Sequence, residues 1–235
     1  MYKDNPAVTA VLDRFEQIGI IPVITIDNPE FAVPLGRALV AGGLPAAEVT
    51  FRTPCAAECI RRMAEEVPDL LVGAGTVIDV PTTEAAVEAG AKFIVSPGIA
   101  EDSVRWCVRH EVPVVPGLAT PSEVVRAIDL GVDHVKLFPA SVVGGTAMLH
   151  AMNGPFPGVK FMCTGGVKPG NAREYLDSPN VFCVGGTWVA PADVVAAGDF
   201  ATVERLVREA AALVEEATGQ DRVTAVCNSQ DARPR

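Results

Sequence analysis

Short apolar runs recur along the chain, and most are followed by a longer stretch whose apolar positions fall three and four residues apart. The runs predict strands at 20–25 (IIPVIT), 46–51 (AAEVTF), 70–74 (LLVGA), 92–96 (KFIVS), 112–115 (VPVV), 133–138 (DHVKLF), 159–163 (VKFMC) and 181–184 (VFCV). Between them, EFAVPLGRALVAGG, AAECIRRMAEEV, PTTEAAVEAG, DSVRWCVRHE and PSEVVRAIDLG carry helical spacing and end near Gly or Pro. Strict alternation of strand and helix demands parallel strands joined by right-handed crossovers. Eight such units closing on themselves predict an α/β fold, a single (β/α)8 TIM barrel, with a doubly wound open sheet as the alternative. Residues 6–18 predict an extra N-terminal helix lying over the bottom of the barrel, so 1–218 read as the barrel domain. Residues 219–235 are polar, lack periodicity and are expected to be disordered.

Composition narrows the picture. The 235 residues suit one barrel, and 49% hydrophobic with 20% charged residues is the balance of a globular enzyme. A net charge of −10, with Arg61-Arg62 the only basic pair, argues against nucleic acid as a partner. The most apolar run, IGIIPVITI at 18–26, is too short for a bilayer, and the amino terminus lacks a secretion signal. A cytoplasmic protein with no membrane partner is the expectation. Six cysteines, at 55, 59, 107, 163, 183 and 227, form no CxxC pair and read as reduced thiols. Cys55 and Cys59 stand four apart without a histidine to complete a metal site, so helix packing is the reading there. His110, His134 and His150 lack ligand spacing, and no Walker loop or dinucleotide fingerprint occurs, so neither metal nor organic cofactor is expected.

In such barrels the reactive groups lie at the carboxyl ends of the strands. Lys92 and Lys160 stand at strand starts, Lys168 in a loop and Lys3 in the leader; only Lys136 falls inside a strand, near its top. If Val135 and Leu137 face the helices, alternation turns Lys136 into the lumen with His134 and Phe138. The same logic on the second strand sends Glu48, Thr50 and Arg52 inward. The second and sixth strands are both even-numbered and face each other across the ring, so Glu48 and Lys136 can share a layer. Desolvation disfavours an ammonium, a facing carboxylate favours it, and a guanidinium alongside disfavours it again. A neutral lysine there condenses with ketones, the carboxylate shuttles protons, and Arg52 anchors an acidic substrate. A buried structural ion pair is the competing reading. CTGGV (163–167) and VGGTW (184–188) follow the last two strands, where barrels hold phosphate on loop amides, and PADVVAAG (191–198) supplies a short helix for the same purpose. VGAGT (72–76) ends the third strand and brings the Thr76 hydroxyl to the rim.

EVTFRT (48–53), VGAGTV (72–77), SPG (96–98), VPG (115–117), KLFPA (136–140), TGGV (164–167) and GGTW (185–188) occur together in one order and spacing. In this the chain resembles the bacterial 2-keto-3-deoxy-6-phosphogluconate (KDPG) and 4-hydroxy-2-oxoglutarate (KHG) aldolases over residues 20–212. The resemblance implies a class I aldolase that splits its sugar acid into pyruvate and glyceraldehyde 3-phosphate, with many members also cleaving 4-hydroxy-2-oxoglutarate. It further implies Lys136 as the Schiff-base lysine and Glu48 as the general acid/base, with Arg52, Thr53, Thr76, Pro97 and Phe138 at the pyruvate pocket. Thr164, Gly165, Gly166 and Thr187 then hold the distal hydroxyls and phosphate, and the assembly is a homotrimer. SVVGG (141–145) lacks the acidic residue of many relatives, and Thr187 stands where serine is more familiar. Two other readings follow: an aldolase mainly for 4-hydroxy-2-oxoglutarate or the galactonate epimer, and a barrel that binds phosphosugars without catalysis.

Overall fold

The computed structural model describes residues 2–218, so the expected disorder at 219–235, and Cys227 with it, lie outside the described residues. The strands are β1 (Ile20–Ile24), β2 (Ala46–Thr50), β3 (Leu71–Gly75), β4 (Ile94–Val95), β5 (Val114–Val115), β6 (Gly117–Leu118), β7 (His134–Leu137), β8 (Lys160–Cys163) and β9 (Val181–Gly186). They form one sheet in the order β5-β4-β3-β2-β1-β9-β8-β7-β6, and every pairing is parallel.

Nine segments make eight staves, because β5 and β6 are two halves of one stave interrupted at Pro116. Sequence reading ends this strand at 115, since a proline cannot donate to a ladder. The structure uses the interruption: β5 pairs with β4, β6 pairs with β7, and the Pro116 carbonyl accepts the Lys136 N–H at 2.8 Å. The ring is thus completed through a residue whose missing N–H falls where the stave changes partner. The result is the expected (β/α)8 barrel.

Helices α1 (Pro6–Ile18), α2 (Ala32–Gly42), α3 (Ala56–Glu66), α4 (Val80–Glu88), α5 (Glu101–Arg109), α6 (Pro121–Asp129), α7 (Gly145–Asn153), α8 (Pro169–Leu176), α9 (Ala192–Ala196) and α10 (Phe200–Thr218) fill the intervals. Local chemistry sets several starts. Asn5, Asp79 and Thr120 each accept a backbone N–H two or three residues on, and a proline follows each of them or lies one further along. Helices α7, α8 and α10 lie outside the segments whose spacing predicts a helix.

The floor of the barrel is closed as expected by α1, which buries Val8, Leu12, Phe15 and Ile18 along one stripe. The Phe15 ring meets Phe93 edge-on at 4.6 Å and stacks on Phe182 at 6.2 Å. Both partners sit at strand beginnings. Burying a phenylalanine completely is worth roughly 1.5–3 kcal/mol, so this trio is a principal anchor of the leader helix. Ahead of α1, the Tyr2 hydroxyl donates to the Val112 carbonyl and accepts the Val114 N–H, each at 2.8 Å. Burial raises the pKa of that hydroxyl well above its usual value, which keeps it a donor.

Candidate active site

Val135 and Leu137 are fully buried, and between them Lys136 points into the barrel, as alternation requires. Its Nζ donates to Glu48 Oε1 at 3.3 Å, in a pair only 6% and 1% exposed at the side chains. β2 supplies Glu48 and β7 supplies Lys136 from across the ring. The neighbouring staves make room for them. A Cβ on Gly75 would lie 2.3 Å from Glu48 Oε1, and a Cβ on Gly73 would lie within the Phe93 ring's contact shell at 2.5 Å. The glycines of VGAGT are therefore spaces for a carboxylate and an aromatic ring. The other carboxylate oxygen, Glu48 Oε2, is buried without a hydrogen-bond partner among the described residues. A buried acceptor in that condition carries a desolvation cost, and a functional role accounts for its retention.

Above the pair, a cavity opens whose wall brings together Arg52, Thr76, Pro97, Lys136, Phe138, Thr164, Gly165, Gly166 and Thr187. Nine of the eleven expected site residues thus line one space, with Glu48 directly beneath it. Arg52 gets there by a different route from the one alternation suggested: β2 stops at Thr50, and Arg52 reaches the cavity from the turn that follows. Thr53 is absent from the wall. Its hydroxyl donates to the Ile26 carbonyl at 2.6 Å and ties the Arg52 turn to the end of β1. Thr76 adopts a left-handed conformation at φ 59°, an unfavourable state for a β-branched residue that costs about 1–3 kcal/mol. Phe138 lays its ring centroid 5.3 Å from Lys136 Nζ. Pro97 is pressed against the fifth stave, because a Cβ on Gly117 would come within 2.3 Å of the Pro97 carbonyl.

The opposite wall carries the residues expected to hold phosphate, Thr164, Gly165, Gly166 and Thr187. Gly165 and Gly166 take φ of 92° and 81°, which only glycine adopts freely. Neither amide donates to a backbone carbonyl in the turns and loops among the described residues. The Thr164 hydroxyl beside them is buried and unpartnered, and Thr187 is exposed at the rim. The second glycine pair differs from expectation. Gly185 and Gly186 belong to β9, and their missing side chains admit Thr164 Oγ1 and the Trp188 ring, 2.3 and 2.6 Å from the respective Cβ positions. The short helix expected at 191–198 forms as α9, five residues long. Val23, Val167 and Gly185 also line the cavity; Val167 and Gly185 belong to the TGGV and GGTW motifs, and Val23 follows from alternation within IIPVIT. His134 faces the floor, edge-on to Phe182 at 4.9 Å and bonded to Asp133 at 2.8 Å, away from the chemistry.

Fold and cavity together define a barrel enzyme equipped for carbonyl chemistry, an amine and a carboxylate meeting beneath a rim that carries Arg52, Thr164, Thr187 and the Gly165–Gly166 turn. The chain belongs to the KDPG and KHG aldolase family, whose family model matches residues 11–206. It is 51% identical over 203 residues to the 2-dehydro-3-deoxy-phosphogluconate aldolase of Pseudomonas aeruginosa, covering 86% of this chain and 92% of that one. The crystal structure of the Zymomonas mobilis 2-keto-3-deoxy-6-phosphogluconate aldolase with 3-phosphoglycerate superposes with a TM-score of 0.82 at 40% identity, covering 91% and 97% of the two chains. A Legionella pneumophila KDPG aldolase, with pyruvate captured at low pH as a covalent carbinolamine, gives 0.81 at 40% identity, covering 88% and 98%.

Proposed function

We propose that this protein is a class I aldolase that cleaves 2-dehydro-3-deoxy-6-phosphogluconate to pyruvate and D-glyceraldehyde 3-phosphate, and that it also acts on 4-hydroxy-2-oxoglutarate. The observation that carries the reading is the buried Lys136–Glu48 contact opening onto a cavity that holds Arg52 on one side and the Gly165–Gly166 amides on another.

Arg52 holds the substrate carboxylate, and the Lys136 amine attacks the C2 ketone to give a carbinolamine. Glu48, one hydrogen bond away, passes the protons that convert it to the iminium and expel water. The free oxygen Glu48 Oε2 then takes the C4 hydroxyl proton as the C3–C4 bond breaks. The bonding electrons pass into the iminium, which becomes an enamine. Glyceraldehyde 3-phosphate leaves, the enamine is protonated at C3, and hydrolysis returns pyruvate and the free lysine. Thr164, Thr187 and the two glycine amides hold the distal phosphate, the role suited to backbone N–H groups of a turn. The enzyme works in the cytoplasm as a homotrimer. The exposed apolar side chains of Ile78, Val125, Ile128 and Val142 are material for the subunit contacts, and no helix among the described residues is long and apolar enough to cross a membrane.

Turnover of the phosphorylated sugar acid, followed as pyruvate released, tests the assignment against the unphosphorylated acid and the galactonate epimer. The expected order of kcat/KM places the phosphogluconate derivative first. A dominant unphosphorylated acid would remove the phosphate role of the glycine loop, and absence of pyruvate from every substrate would leave a binding protein.

A further inference from the structure

Outside the catalytic pair, the barrel mouth holds a second cluster of nucleophiles. Cys55 caps the start of α3, Cys59 lies one turn further on, and their sulfurs are 3.9 Å apart. Among the described cysteines, 55, 59, 107, 163 and 183, only Cys55 is partly exposed. Cys59 is fully buried, and its burial together with the adjacent Cys55 sulfur pushes its thiol up to about 12. The pair is tied to the substrate site through one carbonyl. Cys55 Sγ donates to Ile26 O at 3.2 Å, and Thr53 Oγ1 donates to the same oxygen at 2.6 Å. Those two bonds hold the turn that carries Arg52.

We propose that Cys55 and Cys59 form a reversible oxidation site, closing to a disulfide under hydroperoxide and withdrawing Arg52 from the substrate carboxylate. Cys55 is the sulfur that solvent reaches. As the thiolate it attacks one peroxide oxygen; the O–O bond breaks, hydroxide leaves and Cys55 becomes a sulfenic acid. The Cys59 sulfur then attacks the Cys55 sulfur, the S–O bond breaks, and the hydroxyl departs as water with the Cys59 proton. Two thiol sulfurs lose two electrons in total and one peroxide gains them. A disulfide has sulfurs about 2 Å apart, so closure requires an approach of about 2 Å. Cys59 is anchored within the helix, whereas Cys55 is the cap residue at its end, so Cys55 moves. Its bond to Ile26 O is lost, and the adjoining Thr53–Arg52 turn shifts with it.

This regulation rests on the proposed aldolase reading for its kinetic effect, but its chemistry has a separate readout. Trypsin cuts after Arg52 and Arg61, leaving TPCAAECIR, which contains both cysteines and no other. After brief hydrogen peroxide treatment and alkylation, this peptide is expected two hydrogens lighter and unalkylated, and dithiothreitol restores two alkylatable thiols. The oxidised enzyme is expected to show KM raised about tenfold, the effect of losing one charge-assisted contact, with a smaller change in kcat. Cys59→Ala and Cys55→Ser, the latter keeping a donor to Ile26, should retain the untreated KM after peroxide. The proposal is overturned if both thiols of the peptide stay alkylatable, if Cys55 proceeds to a sulfinic acid with Cys59 untouched, if the disulfide forms without altering KM, or if either variant shows the same KM rise.

Discussion

The two ends of this barrel use the same eight staves for opposite purposes. At the floor, Phe15, Phe93 and Phe182 interlock, and Tyr2 satisfies two backbone groups of the fifth stave. At the mouth, the interior holds a lysine and a glutamate, glycines stand where side chains would fill the lumen, and Thr76 sits in a strained conformation. Two of the buried side-chain atoms without partners among the described residues, Glu48 Oε2 and Thr164 Oγ1, are beside the cavity. A barrel stabilised at its closed end can tolerate polar groups at its open end that a packed core would exclude. Stability and reactivity are therefore separable here by position along a strand, and substitutions at the two ends should fail in different ways.

The largest effect belongs to the mouth. Lys136→Met, which fills the same space without an amine, should lower kcat by roughly 10^4–10^6-fold per folded molecule. A floor substitution should do the reverse: Phe15→Ala is expected to lose about 3–5 kcal/mol of stability in denaturant titration, with kcat of the folded fraction unchanged. A smaller effect sharpens the boundary. Gly75→Ala would place a methyl 2.3 Å from Glu48 Oε1 and push the carboxylate aside. Steady-state kinetics should then show kcat down about 100-fold, as for a misplacement of about 1 Å, with the melting temperature nearly preserved. Stability loss without a kinetic defect in that variant would mean that the glycine serves packing alone.

Much of this division was legible in the sequence. Period-two alternation turned Lys136 and Glu48 into the lumen, and the even numbering of their staves put them in one layer, because both arguments depend only on backbone geometry. The stripe of α1 was equally clear, since apolar residues at helical spacing have one face to bury. What escaped notice depends on neighbours distant in the chain. That Gly73, Gly75, Gly117 and Gly185 are spaces for Phe93, Glu48, Pro97 and Thr164 cannot be read from local pattern, where a glycine looks like a turn. Pro116 ends a strand by local rules but here marks a change of partner strand. Alternation places Arg52 inward only if β2 runs past Thr50; the strand ends there, and a turn that Thr53 secures to Ile26 carries Arg52 to the cavity instead. Helices α7, α8 and α10 lie outside the segments predicted from spacing, and length is not the reason: α4, α5 and α6 are nine residues long and are predicted, whereas α10 has nineteen.

Reductive trapping tests the central claim most directly. With pyruvate and sodium borohydride, peptide mass spectrometry should locate a single reduced pyruvate adduct on Lys136, accompanied by stoichiometric loss of activity. An adduct confined to another lysine, or full inactivation with Lys136 unmodified, would contradict the assignment of the reactive amine to the barrel mouth.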